Sequence, residues 1–128
     1  MRLFLSWKHI ISLCFVLLHL SLSIAHATVV PKQHRLLIIN SYNEGAPWSQ
    51  TLITPIMLQT SSIEDVSADL VHINGTFIRN DSLYNQMEEG IFQRYEKNKP
   101  DYLVLIGSIA FTLRDRIQKE WGDIPMIL

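Results

Sequence analysis

The chain has 128 residues, 11 of them basic and 12 acidic, a formal net charge of −1 and a single cysteine. One cysteine excludes an intrachain disulfide, and scattered charges without a Lys/Arg run leave no argument for a nucleic-acid partner. The length fits one small domain or part of one.

Arg2, Lys8 and His9 make a positive start, and residues 10–24 are apolar except for Ser12, His19, Ser21 and Ser23. Ala25-His26-Ala27 then supplies the small-x-small pattern that a signal peptidase cuts. Residues 1–27 therefore read as an export signal. The apolar run is shorter than the roughly 20 residues that span a bilayer, and an uncleaved anchor is the alternative. Cys14 lies inside the run, behind Leu13, so a lipid-anchored amino terminus is rejected. Cleavage after Ala27 leaves 101 residues with nine basic and 12 acidic side chains and no cysteine. The expected location is the periplasm or the outer face of the cytoplasmic membrane. There, without disulfides, the apolar core alone must supply stability. Residues 28–34 read as a polar leader and residues 35–128 as one α/β lobe.

Arg35-Leu36-Leu37-Ile38-Ile39-Asn40 is nearly continuous in apolar character, as suits a central parallel strand buried on both faces. Residues 41–47 contain Asn, Gly and Pro and form a loop. Trp48, Leu52, Ile56 and Thr60, with Ile53 and Met57 alongside, recur at helical spacing. Pro55 is expected to kink that helix or start a fresh turn, because it lacks an N–H. Residues 66–74 give a second strand, at an edge, and residues 75–80 a loop. Asp81 or Ser82 can cap a helix that places Leu83, Met87, Ile91 and Tyr95 on one face, with Phe92 adjacent. Gly90 weakens it by about 1 kcal/mol relative to Ala. Residues 97–100 end it with cations and a proline. Tyr102-Leu103-Val104-Leu105-Ile106 is the third strand. A third helix follows Gly107-Ser108, with Ala110, Leu113, Ile117 and Trp121 on its buried stripe and Gly122 as its stop. Residues 124–128 begin a fourth strand.

This alternation predicts an α/β fold with a parallel sheet of order 2-1-3-4 and flanking helices. Right-handed crossovers then put the first helix on one face and the other two on the opposite face. A single helix over four strands leaves one face thinly covered, so the chain is expected to be the first part of a larger lobe. A self-sufficient four-stranded domain is the alternative.

Ligands of open α/β sheets sit beyond the carboxyl ends of the strands, where strand order reverses. That point falls between the first and third strands. The candidate ligand-binding residues are accordingly Ser41, Tyr42 and Trp48 after the first strand, Gly107 and Ser108 after the third, and Thr76 after the second. Ser41 and Ser108 serve equally well as helix caps, and Trp48 equally well as core. Tyr42 is the best candidate for ligand contact, because a loop aromatic has less structural reason to be there. His72, in an apolar strand, reads as a satisfied structural side chain. Neither G-x-G-x-x-G nor G-x-x-x-x-G-K-[ST] follows the first strand, so dinucleotide and P-loop readings fail. The mature chain offers no thiol nucleophile. His34 and His72 have no second ligand at metal spacing, and no catalytic residue, cofactor or metal is implied. Asn74-Gly75-Thr76 and Asn80-Asp81-Ser82 match a glycosylation sequon of low specificity.

The apolar strand running into Ser41-Tyr42, with Pro47-Trp48 opening a helix, resembles the ABC-transporter substrate-binding-like domain. That domain is the extracytoplasmic sensor of many bacterial histidine kinases. Lys99-Pro100-Asp101 before an apolar strand, the small-residue turn with Ala110, and Ile124-Pro125 follow in the same order. The resemblance covers residues 35–128. It implies a type I periplasmic-binding-protein fold: two α/β lobes closing on a small ligand, followed in the sensors by a membrane helix and a kinase. The family often carries an acidic residue after its third strand. This chain has Gly107-Ser108 there, so no ligand chemistry carries over at that turn.

The expected function is therefore a small-molecule-binding sensor lobe, the amino-terminal part of a two-component sensor kinase. Its partners would be a small ligand, a second lobe and a membrane-anchored kinase. A soluble solute-binding protein of a transporter is the nearest alternative. An exported α/β hydrolase is further off, since Ser41 and Ser108 have no evident histidine partner.

Overall fold

A computed structural model of the chain describes residues 33–128. The expected export signal (residues 1–27) and nearly all of the expected leader (28–34) lie outside the described residues. The elements run β1 (His34–Asn40), α1 (Pro47–Ser61), β2 (Val66–His72), a 3-10 turn (Gly75–Phe77), α2 (Asp81–Tyr95), β3 (Tyr102–Ile106), α3 (Ser108–Thr112), α4 (Arg114–Trp121) and β4 (Met126–Ile127).

All strand pairings are parallel, in the order β2-β1-β3-β4. β1 and β3 are buried on both faces, as their unbroken apolar runs require. Side chains alternate across the sheet, so two cores form. Leu37 and Ile39 of β1 and Leu103 and Leu105 of β3 point to one face, where Ile91, Phe92 and Tyr95 of α2 and Leu113, Ile117 and Trp121 of α3–α4 cover them. Ile38, Val104 and Ile106 point the other way, against Ile53 of α1. The first helix thus covers one face and the later helices the other. The α1 side is the thinner, with four buried core residues against 12. Arg116 clamps α2 to α4. Its guanidinium lies 4.2 Å from the Phe92 ring centroid and reaches Glu89 at 2.8 Å and Glu120 at 2.7 Å.

Several local expectations change. α1 passes unbroken through Pro55, whose missing N–H frees the carbonyl of Thr51, and both residues are exposed to water. Its buried residues are Ser49, Ile53 and Thr60, whereas Trp48 and Leu52 stay half exposed, so the core-facing stripe is rotated from the expected one. Asn80, rather than Asp81 or Ser82, caps α2 by accepting from the Leu83 N–H at 2.9 Å. Leu83 itself is exposed, and Tyr84 with Met87 takes the partly buried place. β2 stops at His72, because Asn74 adopts a left-handed conformation (φ 53°) that opens the 3-10 turn. The third helix divides at Leu113 into α3 and α4 without losing its buried stripe. β4 is shorter than expected and pairs only through Leu103–Met126 and Val104–Ile127. The one φ-restricted, N–H-less residue before it, Pro125, enters the ladder by its carbonyl, accepting from Leu103 at 3.0 Å.

Candidate functional site

The register decides where the strand exits lie. Asn40, the last residue of β1, pairs with His72 of β2 and with Ile106 of β3, each also the last of its strand. Three connections therefore leave the sheet at one level, on either side of the point where strand order reverses.

Ser41 ties them together. Its backbone N–H donates to Ile106 at 2.8 Å, and its carbonyl accepts from Gly75 at 2.8 Å. Its hydroxyl, buried, accepts from the Ala110 N–H at 2.8 Å. Two glycines permit this closeness. A Cβ on Gly75 would collide with the Ile109 side chain and lie 3.1 Å from the Ser41 carbonyl. Gly107 has φ 87° and ψ 168°, a region essentially closed to other residues. A Cβ there would sit 2.5 Å from the Tyr42 ring and 2.9 Å from Ser41 Cβ.

Beneath this knot, Asn40 is fully buried. The Tyr42 N–H is an unambiguous donor, so it fixes the carboxamide oxygen, which accepts at 3.3 Å. The amide nitrogen then faces His72 Nδ1 at 3.0 Å, the Tyr42 carbonyl at 3.3 Å and Ser49 Oγ at 3.4 Å. His72 Nδ1 also lies 3.3 Å from the Tyr42 carbonyl, and its tautomer decides whether it accepts from the amide or donates to that carbonyl. Ser49 in turn donates to the Ala46 carbonyl at 3.0 Å. The β1–α1 turn is thus held from below by buried, satisfied polar groups, as a polar strand end inside an apolar sheet demands.

Above the knot the surface divides. On the α1 side an apolar groove of about 500 Å³ is bordered by Tyr42, Trp48, Leu52, Val104, Ile106, Gly107 and the exposed Ile127 and Leu128. Tyr42 and Trp48 meet there edge to face, with ring centroids 4.0 Å apart. On the α2 side a cavity of about 430 Å³ is bordered by Ile78, Arg79, Asn80, Asp81, Tyr84, Ser108, Ile109 and Thr112. Of the sequence-derived candidates, Ser41, Tyr42, Trp48 and Gly107 gather on the apolar side, with Ser41 beneath as the fastener. Ser108 belongs to the other cavity, exposed. Thr76 is exposed, donates to Asn74 Oδ1 at 3.0 Å, and borders neither space. No group of three His, Cys, Asp or Glu among the described residues is placed to hold a metal ion.

No family model, curated protein or solved structure matches this chain. Its chemistry has to be argued from its own geometry.

Three contributors escape the sequence reading. Asn40 was placed there only as a strand end, although a carboxamide closing an apolar run is itself a sign of a buried network. Leu52 shares the helical spacing of Trp48 and Ile56, which does not mark it as groove-lining. Arg79, in the loop just before the α2 cap, carries no sequence signal of its own.

A third cavity, of about 300 Å³, opens at the opposite, amino-terminal edge of the strands between Arg35, Ser67, Asp69, Arg94, Tyr95 and Pro100. Its polar groups are largely engaged in structural bonds: Arg35 donates to the Lys99 carbonyl at 2.8 Å, and Tyr95 donates to Asp69 at 2.6 Å.

Proposed function

We propose that residues 33–128 form a small-molecule-binding lobe of an extracytoplasmic sensor, the amino-terminal part of a two-component sensor kinase of the ABC-transporter substrate-binding-like kind. The observation that carries this reading is the level, tied set of strand exits at the switch point, with the Tyr42–Trp48 pair facing outward above it. A ligand seated there meets a rigid floor and adaptable loop side chains, the arrangement that open parallel sheets use for binding.

The apolar groove over β3 and β4 adds support. Trp48 is 48% exposed and Leu52 50% exposed, on the flank where β4, beyond the reach of α1, has no described helix above it on this face. A sheet of this type is normally covered on both faces, so further polypeptide of the same protein packing there accounts for the groove. In this reading a second lobe faces the carboxyl edge, and ligand favours the closed pair of lobes, shifting an equilibrium that already exists. One lobe offers one wall of the cleft, so the chain alone is expected to bind weakly.

The test is a screen of polar small metabolites against the full chain by amide chemical-shift mapping. Saturable shifts are expected at Tyr42, Gly107 or Ser108, and Trp48→Phe should alter those of any ligand that stacks. Shifts confined to Arg35, Ser67 and Pro100, at the other edge of the sheet, would refute the assignment. So would a screen without any saturable hit.

A further inference from the structure

Two spaces open at the carboxyl edge, and only the one beside α2 carries charge. Arg79 and Asp81 both border it. The Arg79 guanidinium makes no hydrogen bond or ion pair with another described residue, and neither does the Ser108 hydroxyl. The other two hydroxyls are committed. Thr112 Oγ1 donates to the Ile109 carbonyl at 2.7 Å, so Tyr84 must donate in its 2.8 Å bond with Thr112. Arg79, Ser108 and the Asn80 carboxamide NH2 are therefore the side-chain donors left to face a guest, Arg79 the charged one, while Ile78 and Ile109 supply apolar wall.

A guanidinium presents a planar fork of N–H donors that matches a carboxylate in bidentate fashion. Of the other described arginines, Arg116 is engaged by three glutamates, Arg94 by Asp69 and Arg35 by the Lys99 carbonyl, and Arg114 does not border this cavity. Arg79 is the cation of this cavity, and Asp81 shares its rim. One cation beside one carboxylate leaves the rim neutral, so Asp81 repels a dianionic phosphate about twice as strongly as a monoanion whose charge sits in the Arg79 fork.

We propose that Arg79, assisted by the Ser108 hydroxyl, holds the carboxylate of the ligand, whose organic part lies on Ile78 and Ile109. This rests on the ligand-binding reading above and names the chemical class that the same edge takes.

The experiment is an amide and arginine Nε–H titration of the full chain, at matched ionic strength, with sodium benzoate, neutral benzamide and inorganic phosphate. Benzoate should give saturable shifts at Arg79 Nε–H and at the Ser108 and Thr112 amides. Benzamide should bind at least about tenfold more weakly, and Arg79→Gln should weaken benzoate by at least about tenfold, a loss of about 1.4 kcal/mol. Phosphate should not compete. Arg79 is exposed and has no partner among the described residues to lose, so the variant should keep its amide spectrum elsewhere. Equal binding of benzamide, benzoate binding indifferent to R79Q, competition by phosphate, or no saturable Arg79 shift up to tens of millimolar each overturns the proposal. Benzoate or metabolite shifts at Tyr42 and Gly107 that ignore R79Q would remove this inference and leave the ligand-binding lobe standing. Silence at both spaces in the metabolite screen removes both.

Discussion

Replacing Gly107 by alanine separates two costs that usually arrive together. Gly107 (φ 87°, ψ 168°) and Gly122 (φ 92°, ψ −164°) occupy the same glycine-only region of backbone space. Forcing a side chain into that region costs roughly 1–3 kcal/mol at either site. Their surroundings differ. A Cβ on Gly122 meets nothing within 4 Å, while one on Gly107 lies 2.5 Å from Tyr42 Cε2 and 2.9 Å from Ser41 Cβ and Oγ. The Tyr42 ring can swing, but Ser41 is pinned by three hydrogen bonds and cannot. Overpacking of that kind adds about 1–3 kcal/mol. Gly107→Ala should therefore cost about 2–6 kcal/mol, and Gly122→Ala only the backbone part. With a urea slope of about 1–2 kcal/mol per molar, the two midpoints should differ by roughly 0.5–3 M. Total stability at about 0.05–0.15 kcal/mol per residue leaves Gly107→Ala near the limit of folding. The added variant Gly107→Ala/Tyr42→Ala should recover the ring's share of the clash and not that of Ser41. Equal midpoints for Gly107→Ala and Gly122→Ala would show that Ser41 and Tyr42 do not crowd this turn, and the tied-exit description would fail with it.

Gly90, solvent-facing in α2 with open space around its Cα, should gain from alanine: Gly90→Ala is expected to raise stability by roughly 0.4–1 kcal/mol, read as a higher urea midpoint with an unchanged slope. Ser41→Ala leaves the Ala110 N–H buried without its acceptor and should cost about 1–3 kcal/mol, with faster hydrogen exchange at Ala110 as the local readout. Burial and, next, the bond to Asp69 push the Tyr95 hydroxyl well above the usual tyrosine range. Its contribution is present below the unfolded-state value near pH 10 and is lost as pH rises from there toward the raised folded value. Tyr95→Phe should flatten that part of the alkaline loss of stability, and an identical alkaline profile in wild type and variant would show that Tyr95 does not drive it.

The strands, their order and the faces taken by the helices were legible because burial on both sides of a parallel sheet imposes unbroken apolar runs, and right-handed crossovers leave little choice of topology. Leu37 to Ile39 and Leu103 to Ile106 carry that information directly. Helix faces were less legible. Trp48 and Leu52 share helical spacing with Ile56, so periodicity alone leaves Trp48 open between core and ligand contact and puts Leu52 on the expected core stripe. Burial followed Ser49 and Ile53 instead, because β4 lacks a helix above it and leaves that flank open. The α2 cap moved by one residue, since Asn80, Asp81 and Ser82 all have suitable oxygens and only backbone geometry chooses among them. Nearness of the exits near Ser41 and Ser108 followed from topology. The split of their surroundings into an apolar and a charged space did not, because it depends on which way each side chain leaves the turn. Ser41 turned inward and Ser108 outward.

Connecting segments in α/β proteins ordinarily vary one at a time, each free to lengthen or change without consulting its neighbours. Ser41 removes that freedom, because a single residue is bonded to the segments following β2 and β3 as well as belonging to its own. A push on any of the three is passed to the other two over a few ångströms, so the rim behaves as one stiff plate. Transplanting one of these segments into a homologous scaffold should fail unless its two companions travel with it.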